Sequence, residues 1–278
     1  MTWNIVLDSS CDLTPQHALK NAEIKIAPLT IRVGDKEFVD DETIDVPMLL
    51  DAMEKEKSAS STACPPPAAF NEHFVTADNV ICICITSNLS GTYNAAVQAA
   101  EMVKEEYPEK NINVINSYNT AGGMVLMARM ADQLIGQGLP FDEICRKLDE
   151  YVKEVRLVFT LEKFDNLIKA GRMKPLVGKV VAALGIHLVA QASVDGKVEL
   201  MFKVRGDDKT LEKMVDYMNE QKDMTDKPVF ISHCNNLKAV EKITQLIKEK
   251  CHTDDITVAH CKGLTSFYAM EKGLLIGY

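Results

Sequence analysis

Three apolar runs, Trp3–Asp8, Asn79–Thr86 and Asn111–Asn116, each end in Asp, Asn, Ser or Thr and each give way to a helical pattern. No other feature limits the fold as strongly. A short continuous apolar run reads as a strand buried on both faces. Strands of that kind alternating with helices build a parallel sheet covered on both sides. The sequence therefore predicts an α/β protein.

The rest of the first half fits around that sheet. Glu23–Pro28 reads as a further strand and Leu29–Asp40 as a hairpin turning at Gly34-Asp35. Val46–Lys57 has the spacing of a charged amphipathic helix. Further helices are predicted over Ala68–Phe74, up to about Tyr107, beyond Gly123 and over Pro140–Glu154. Ser58–Pro67 is small, polar and ends in a proline run, which predicts a loop. The pattern shifts near residue 156. A second α/β unit follows, with strand Arg156–Leu161 and a hairpin of Ile186–Ser193 and Lys197–Val204 about Asp195-Gly196. Helices over 208–222 and 237–251 and strands Val229–Cys234 and Ile256–Cys261 complete it. The expected organisation is two α/β domains. Residues 1–156 carry a mostly parallel sheet covered by helices, and residues 157–278 form a smaller mixed-sheet α/β sandwich.

Charge and missing motifs narrow the function. With 31 basic and 40 acidic residues, net −9, the chain lacks the basic footprint of a nucleic-acid surface. Its cysteines are scattered, and its N-terminus has no basic, cleavable leader. Free thiols in the cytoplasm are therefore expected. No apolar run is long enough to span a bilayer. The P-loop, the Rossmann glycine fingerprint, the nucleophile elbow and the paired-histidine zinc motif are all absent. Cys82 and Cys84 lie in an apolar run and read as small core residues. His233 and His260 close strands and read as structural. Cys64, with no base beside it, reads as a plain loop thiol. Neither cofactor nor metal is expected.

In an open parallel sheet, ligands collect beyond the carboxyl ends of the strands. Those ends carry Asp8-Ser9-Ser10, Ser87–Thr92 and Ser117–Thr120, each ahead of a helix. A helix start offers free N–H groups and a partial positive charge to an anion. Ser90 and Thr92 add hydroxyls, Gly91 admits a ligand close to the backbone, and Ser60-Ser61-Thr62 supplies more hydroxyls. The same residue types are the preferred helix caps, so local sequence leaves an anion site and ordinary capping both open. Arg172 lies just past the junction with a planar fork suited to a carboxylate or phosphate. A surface or interdomain ion pair accounts for its spacing as well.

At these residues the chain resembles the DegV family. Ile5–Leu13 is similar to that family's first strand and Asp-Ser loop, and Ser61-Thr62-Ala63-Cys64-Pro65 with Phe70 to its Thr-Ser-x-Pro loop. Ser87–Tyr93 is similar to its Ser-x-x-Leu-Ser-Gly-Thr-Tyr segment, and Thr160–Glu162 with Ala170–Arg172 to the start of its second domain. The resemblance implies two α/β domains with a long-chain fatty acid between them and its acyl chain in an apolar tunnel. Carried over, it assigns the head group to Ser61, Thr62, Ala63, Ser90 and Gly91, with Arg172 nearby. It further implies a monomer without catalytic residues. Some family members are carrier subunits that present the acid to a separate ATP-using fatty-acid kinase subunit. The chain departs from the pattern at Ala63, where the family usually has Ser, and near the C-terminus. There Ser266–Gly273 replaces a histidine-bearing segment, with Tyr268 or Met270 in the histidine's place.

Val177, Val180, Val181, Leu184, Ile186, Leu188 and Val189 are the candidate tunnel walls. Two other functions draw on the same loops. An acyl hydrolase or transferase using Ser90 or Cys64 requires a base within hydrogen-bond reach. A phosphate or sugar-phosphate binding protein requires a small polar pocket instead of an apolar one.

Overall fold

The computed structural model describes residues 1–17, 19–56, 60–174 and 185–278. The first half runs β1 (Trp3–Asp8), β2 (Glu23–Ala27), β3 (Thr30–Val33), β4 (Lys36–Val39), α1 (Val46–Lys55), β5 (Ser61–Ala63), α2 (Pro67–Phe74), β6 (Asn79–Cys84), α3 (Thr92–Glu106), β7 (Asn111–Asn116), α4 (Ala121–Gly136) and α5 (Phe141–Tyr151). The second half continues with β8 (Leu157–Leu161), α6 (Asp165–Lys169), β9 (Ile186–Ala192), β10 (Val198–Arg205), α7 (Asp207–Gln221), β11 (Val229–His233), α8 (Leu237–Cys251), β12 (Ile256–His260), α9 (Gly263–Ala269) and β13 (Leu274–Gly277).

The continuous apolar runs form an all-parallel sheet in the order β2-β1-β6-β7. Every residue of β6 is buried, including Cys82 and Cys84, as expected of a strand covered on both faces. Connections leave β1 toward β2 on one side and β6 toward β7 on the other. A crevice therefore opens beyond the carboxyl ends of β1 and β6. The second sheet is mixed, in the order β10-β9-β8-β13-β11-β12, with only β11 and β12 parallel. Arg156 exchanges backbone hydrogen bonds of 2.8 and 3.0 Å with Tyr278, so the second sheet's ladder begins there.

Two features differ from expectation. Ser61–Ala63 is not loop but a strand, antiparallel to β3 with Thr62 opposite Ile31. A proline restricts the residue before it to extended backbone, so the run from Cys64 into Pro65 holds this edge straight enough to pair. The Gly34-Asp35 hairpin of β3 and β4 supplies the partner edge. The other difference is the chain's end. β13 is only four residues long and fully buried, yet it lies in the middle of the second sheet, antiparallel to both β8 and β11.

α4 joins the two halves. It is buried over most of its length and packs against strands of both sheets. At Gly122 and Gly277 helix and strand touch backbone to backbone. A Cβ on Gly277 would lie 2.5 Å from Gly122 C and Gly123 N, which leaves no room for any side chain there.

Candidate ligand-binding site

A cavity of about 330 Å³ is lined by residues of both halves of the chain. That lies within the usual ~300–1,000 Å³ of small-molecule sites. The first half contributes most of the hydroxyl and amide groups: Thr62 with Ala63 and Cys64 at the end of β5, Thr86, Leu89, Ser90 and Gly91 between β6 and α3, and Asn119 and Thr120 ahead of α4, with Leu29 and Ile85 as apolar neighbours. The second half contributes a mainly apolar set, with Arg172, Lys197, Thr265 and Tyr268 as its polar members. Leu157, Phe159 and Leu161 line the cavity from alternate positions of β8, joined by Leu167, Ala192, Val198, Leu264 and Leu275.

The hydroxyls are arranged in pairs. Thr92 is fully buried, and its Oγ1 lies 2.8 Å from Ser90 Oγ. Either hydroxyl can donate in this pair; with Thr92 as donor its buried hydrogen is satisfied and the Ser90 hydrogen is left for the cavity. Gly91 sits at the N-terminus of fifteen-residue α3, whose first N–H groups and dipole favour an anion. A Cβ at Gly91 would touch Cys64 Sγ at 3.4 Å, so the two loops meet here. In the second pair, Thr62 Oγ1 lies 3.1 Å from the Tyr268 hydroxyl of α9.

Thr62, Ala63, Ser90, Gly91 and Arg172 all line the one cavity. Ser61 does not; it stands exposed at the start of β5, opposite Arg32. Arg172 reaches across from the second half. Its Nε donates to Leu89 O at 3.0 Å and its guanidinium also donates to Ala170 O, so much of the fork is spent on carbonyls. The Asp8-Ser9-Ser10 loop is structural. Asp8 is fully buried and accepts from Ser10 N at 2.9 Å, Ser10 Oγ at 2.5 Å and Ile85 N at 2.6 Å, and Ser9 Oγ accepts from Leu29 N at 3.0 Å. Burial pushes the Asp8 carboxyl up to about 6 despite those donors.

Of the candidate tunnel walls, Val177, Val180, Val181 and Leu184 lie outside the described residues. Leu188 and Val189 belong to the packed core instead of the cavity, and Ile186 does not line it either. No sequence pattern singled out Lys197, whose place in the lining follows from the turn at Asp195-Gly196. There Asn88 Nδ2 donates to Asp195 O at 2.7 Å, holding the β9–β10 hairpin tip against the first half. The rings of His233 and His260 meet at a 52° tilt with centroids 4.2 Å apart at the ends of β11 and β12, and neither lines the cavity. Among the described residues, neither Ser90 nor Cys64 has a basic side chain in hydrogen-bond contact, and no cluster of His, Cys, Asp or Glu fits a metal ion.

Tyr268 is placed by the first half. Asp40 Oδ1 and Oδ2 accept from Gly263 N at 2.9 Å and Leu264 N at 2.8 Å, and Asp12 Oδ1 accepts from Lys262 N at 2.9 Å. Two buried carboxylates of the first half thus hold the first turn of α9. Burial pushes the Asp12 carboxyl up to about 6 and raises that of Asp40 as well.

Known proteins share this fold. The DegV family profile, described only as an uncharacterised protein family, matches residues 2–274. A DegV domain-containing protein of Streptococcus pyogenes serotype M3 is 38% identical over 279 residues, covering 100% of this chain and 99% of the relative. Among solved structures, the Streptococcus pneumoniae fatty acid kinase B3 protein loaded with linoleic acid is 36% identical. It superposes with a TM-score of 0.95 over 100% of this chain and 99% of that one. A Eubacterium eligens DegV protein loaded with heptadecanoic acid is 34% identical, with a TM-score of 0.94 over 99% of each chain. Among the described residues, no helix is long and apolar enough to cross a membrane.

Proposed function

This chain belongs to the DegV family, and from that premise we propose that it holds one long-chain fatty acid between domains 1–156 and 157–278. The observation that carries this reading is the cavity's mixed lining, in which the hydroxyls of Thr62 and Ser90 and a helix start at Gly91 border a predominantly aliphatic surface. Each buried methylene contributes about 0.8 kcal/mol, so an acyl chain supplies ample gross affinity. A carboxylate entering such a site loses its water and needs donors in return. Ser90, Thr62 and the backbone at Gly91 serve that purpose, with Arg172 bracing the Leu89 carbonyl beside them. The apolar wall disfavours a phosphate site, and the lack of a base beside Ser90 disfavours an acyl hydrolase. The chain acts as a cytoplasmic, monomeric carrier without chemistry of its own.

Cys64 offers a direct test, because it is exposed and lines the cavity. Palmitate at ten times its Kd is expected to slow iodoacetamide alkylation of Cys64 about tenfold, read by peptide mapping. An unchanged rate under saturating palmitate sinks the proposed location of the ligand.

The similarity to a fatty acid kinase B3 protein supports a second step. The bound carboxylate is presented to a separate kinase subunit, where a carboxylate oxygen attacks the γ-phosphorus of ATP to give acyl phosphate and ADP. Incubation of the loaded protein with such a subunit and ATP is expected to yield acyl phosphate, trapped as the hydroxamate. Absence of product, with the subunit active on its own carrier, rejects presentation and leaves binding intact.

A further inference from the structure

We infer that Tyr268 is a positioning residue for the ligand's carboxylate, and that it makes the site select acids over neutral lipids of equal length. This rests on the fatty-acid reading above. The Tyr268 hydroxyl and Thr62 Oγ1 are 3.1 Å apart, which allows one hydrogen bond and leaves one hydroxyl hydrogen over. A phenol is a stronger acid than an aliphatic alcohol and is the better donor. Tyr268 therefore donates to Thr62, and the Thr62 hydrogen turns into the cavity. The Ser90–Thr92 pair has the same polarity, with buried Thr92 donating and Ser90 left to serve the ligand. Both relays end in a hydroxyl whose hydrogen is left for the ligand. A carboxylate accepts from both. The neutral oxygen of an alcohol of the same chain length accepts the same hydrogens only as weaker bonds without charge assistance.

The geometry at Tyr268 is fixed by its surroundings. Its ring stands edge-on to Phe267 at 4.9 Å, and Phe267 is itself buried with its carbonyl accepting from Asn166 Nδ2 at 2.7 Å. The turn below is clamped by Asp40. Removing the hydroxyl alone thus leaves the packing in place, and Tyr268→Phe isolates the relay.

The test compares the binding of palmitate and its alcohol, 1-hexadecanol, to the full chain. Tyr268→Phe is expected to weaken palmitate binding about tenfold while changing 1-hexadecanol binding less than about twofold, so that the acid-to-alcohol preference falls. In a Thr62→Val background, which breaks the relay at its other end, Tyr268→Phe is expected to add no further loss. Equal losses for acid and alcohol, or additive losses in the double variant, overturn the relay and mark Tyr268 as packing only. A wild-type protein that binds palmitate while Tyr268→Phe leaves the preference unchanged overturns this inference alone. A wild-type protein that binds no palmitate overturns the fatty-acid reading beneath it.

Discussion

Replacing Ser90 and Thr62 together by alanine is expected to lower affinity for a long-chain fatty acid about a thousandfold, measured by displacement of a fluorescent fatty acid. Each hydroxyl donates a charge-assisted hydrogen bond worth about 1.5–3 kcal/mol. Losing both costs about 4 kcal/mol, which is close to three decades in Kd. The single variants should each lose about tenfold or more. The apolar wall from Leu157, Phe159 and Leu161 is untouched, so residual binding persists but no longer distinguishes acid from alcohol. Both side chains are only partly buried, so the cost to the fold is limited to the hydrogen bonds that Thr92 and Tyr268 lose. An affinity unchanged in the double variant places the carboxylate elsewhere and removes the polar wall from the account.

The second large effect is on stability. Asp40→Ala is expected to cost about 3–5 kcal/mol in denaturant unfolding, the range for removing one partner of a buried charged contact. Asp40 is fully buried, and its two oxygens receive the N–H groups of Gly263 and Leu264. Its deletion strands two buried donors and empties the space they faced. Gly263 is packed so closely that a Cβ there would lie 2.5 Å from Asp40 Oδ1, which leaves little slack for another group to fill in. Asp40→Asn keeps one acceptor oxygen and should cost roughly half as much. Because α9 carries Tyr268, fatty-acid affinity should fall in the same variants. A loss below about 1 kcal/mol in Asp40→Ala would mean that α9 is held by its apolar packing.

What the sequence disclosed and what it hid follow from the range of the interactions. β1, β6 and β7 are legible because a run such as Val80-Ile81-Cys82-Ile83 has one reading as a short strand, and the turns at Gly34-Asp35 and Asp195-Gly196 are local chemistry. β5 hides because its hydroxyl-rich residues read as loop until the edge of β3 is there to pair with. β13 hides because four residues carry almost no periodicity, and their place depends on strands more than forty residues away in the case of β11. The loops around Ser90 and Thr62 are legible as hydroxyl clusters, but the partner of each hydroxyl is not. Nothing in the local pattern distinguishes Asp8-Ser9-Ser10, which closes on itself and on Ile85, from Ser90-Gly91-Thr92, which faces the cavity. Tyr268 stands 206 residues from Thr62, and only the docking of α9 onto Asp40 brings the two together.

The most direct test of the account is native mass spectrometry of the freshly purified chain, followed by organic extraction and identification of whatever is released. The expected result is an added mass equal to one long-chain fatty acid per chain, lost on extraction and restored by incubation with palmitate. A chain that runs at its bare mass, and stays there after incubation with palmitate, would contradict it.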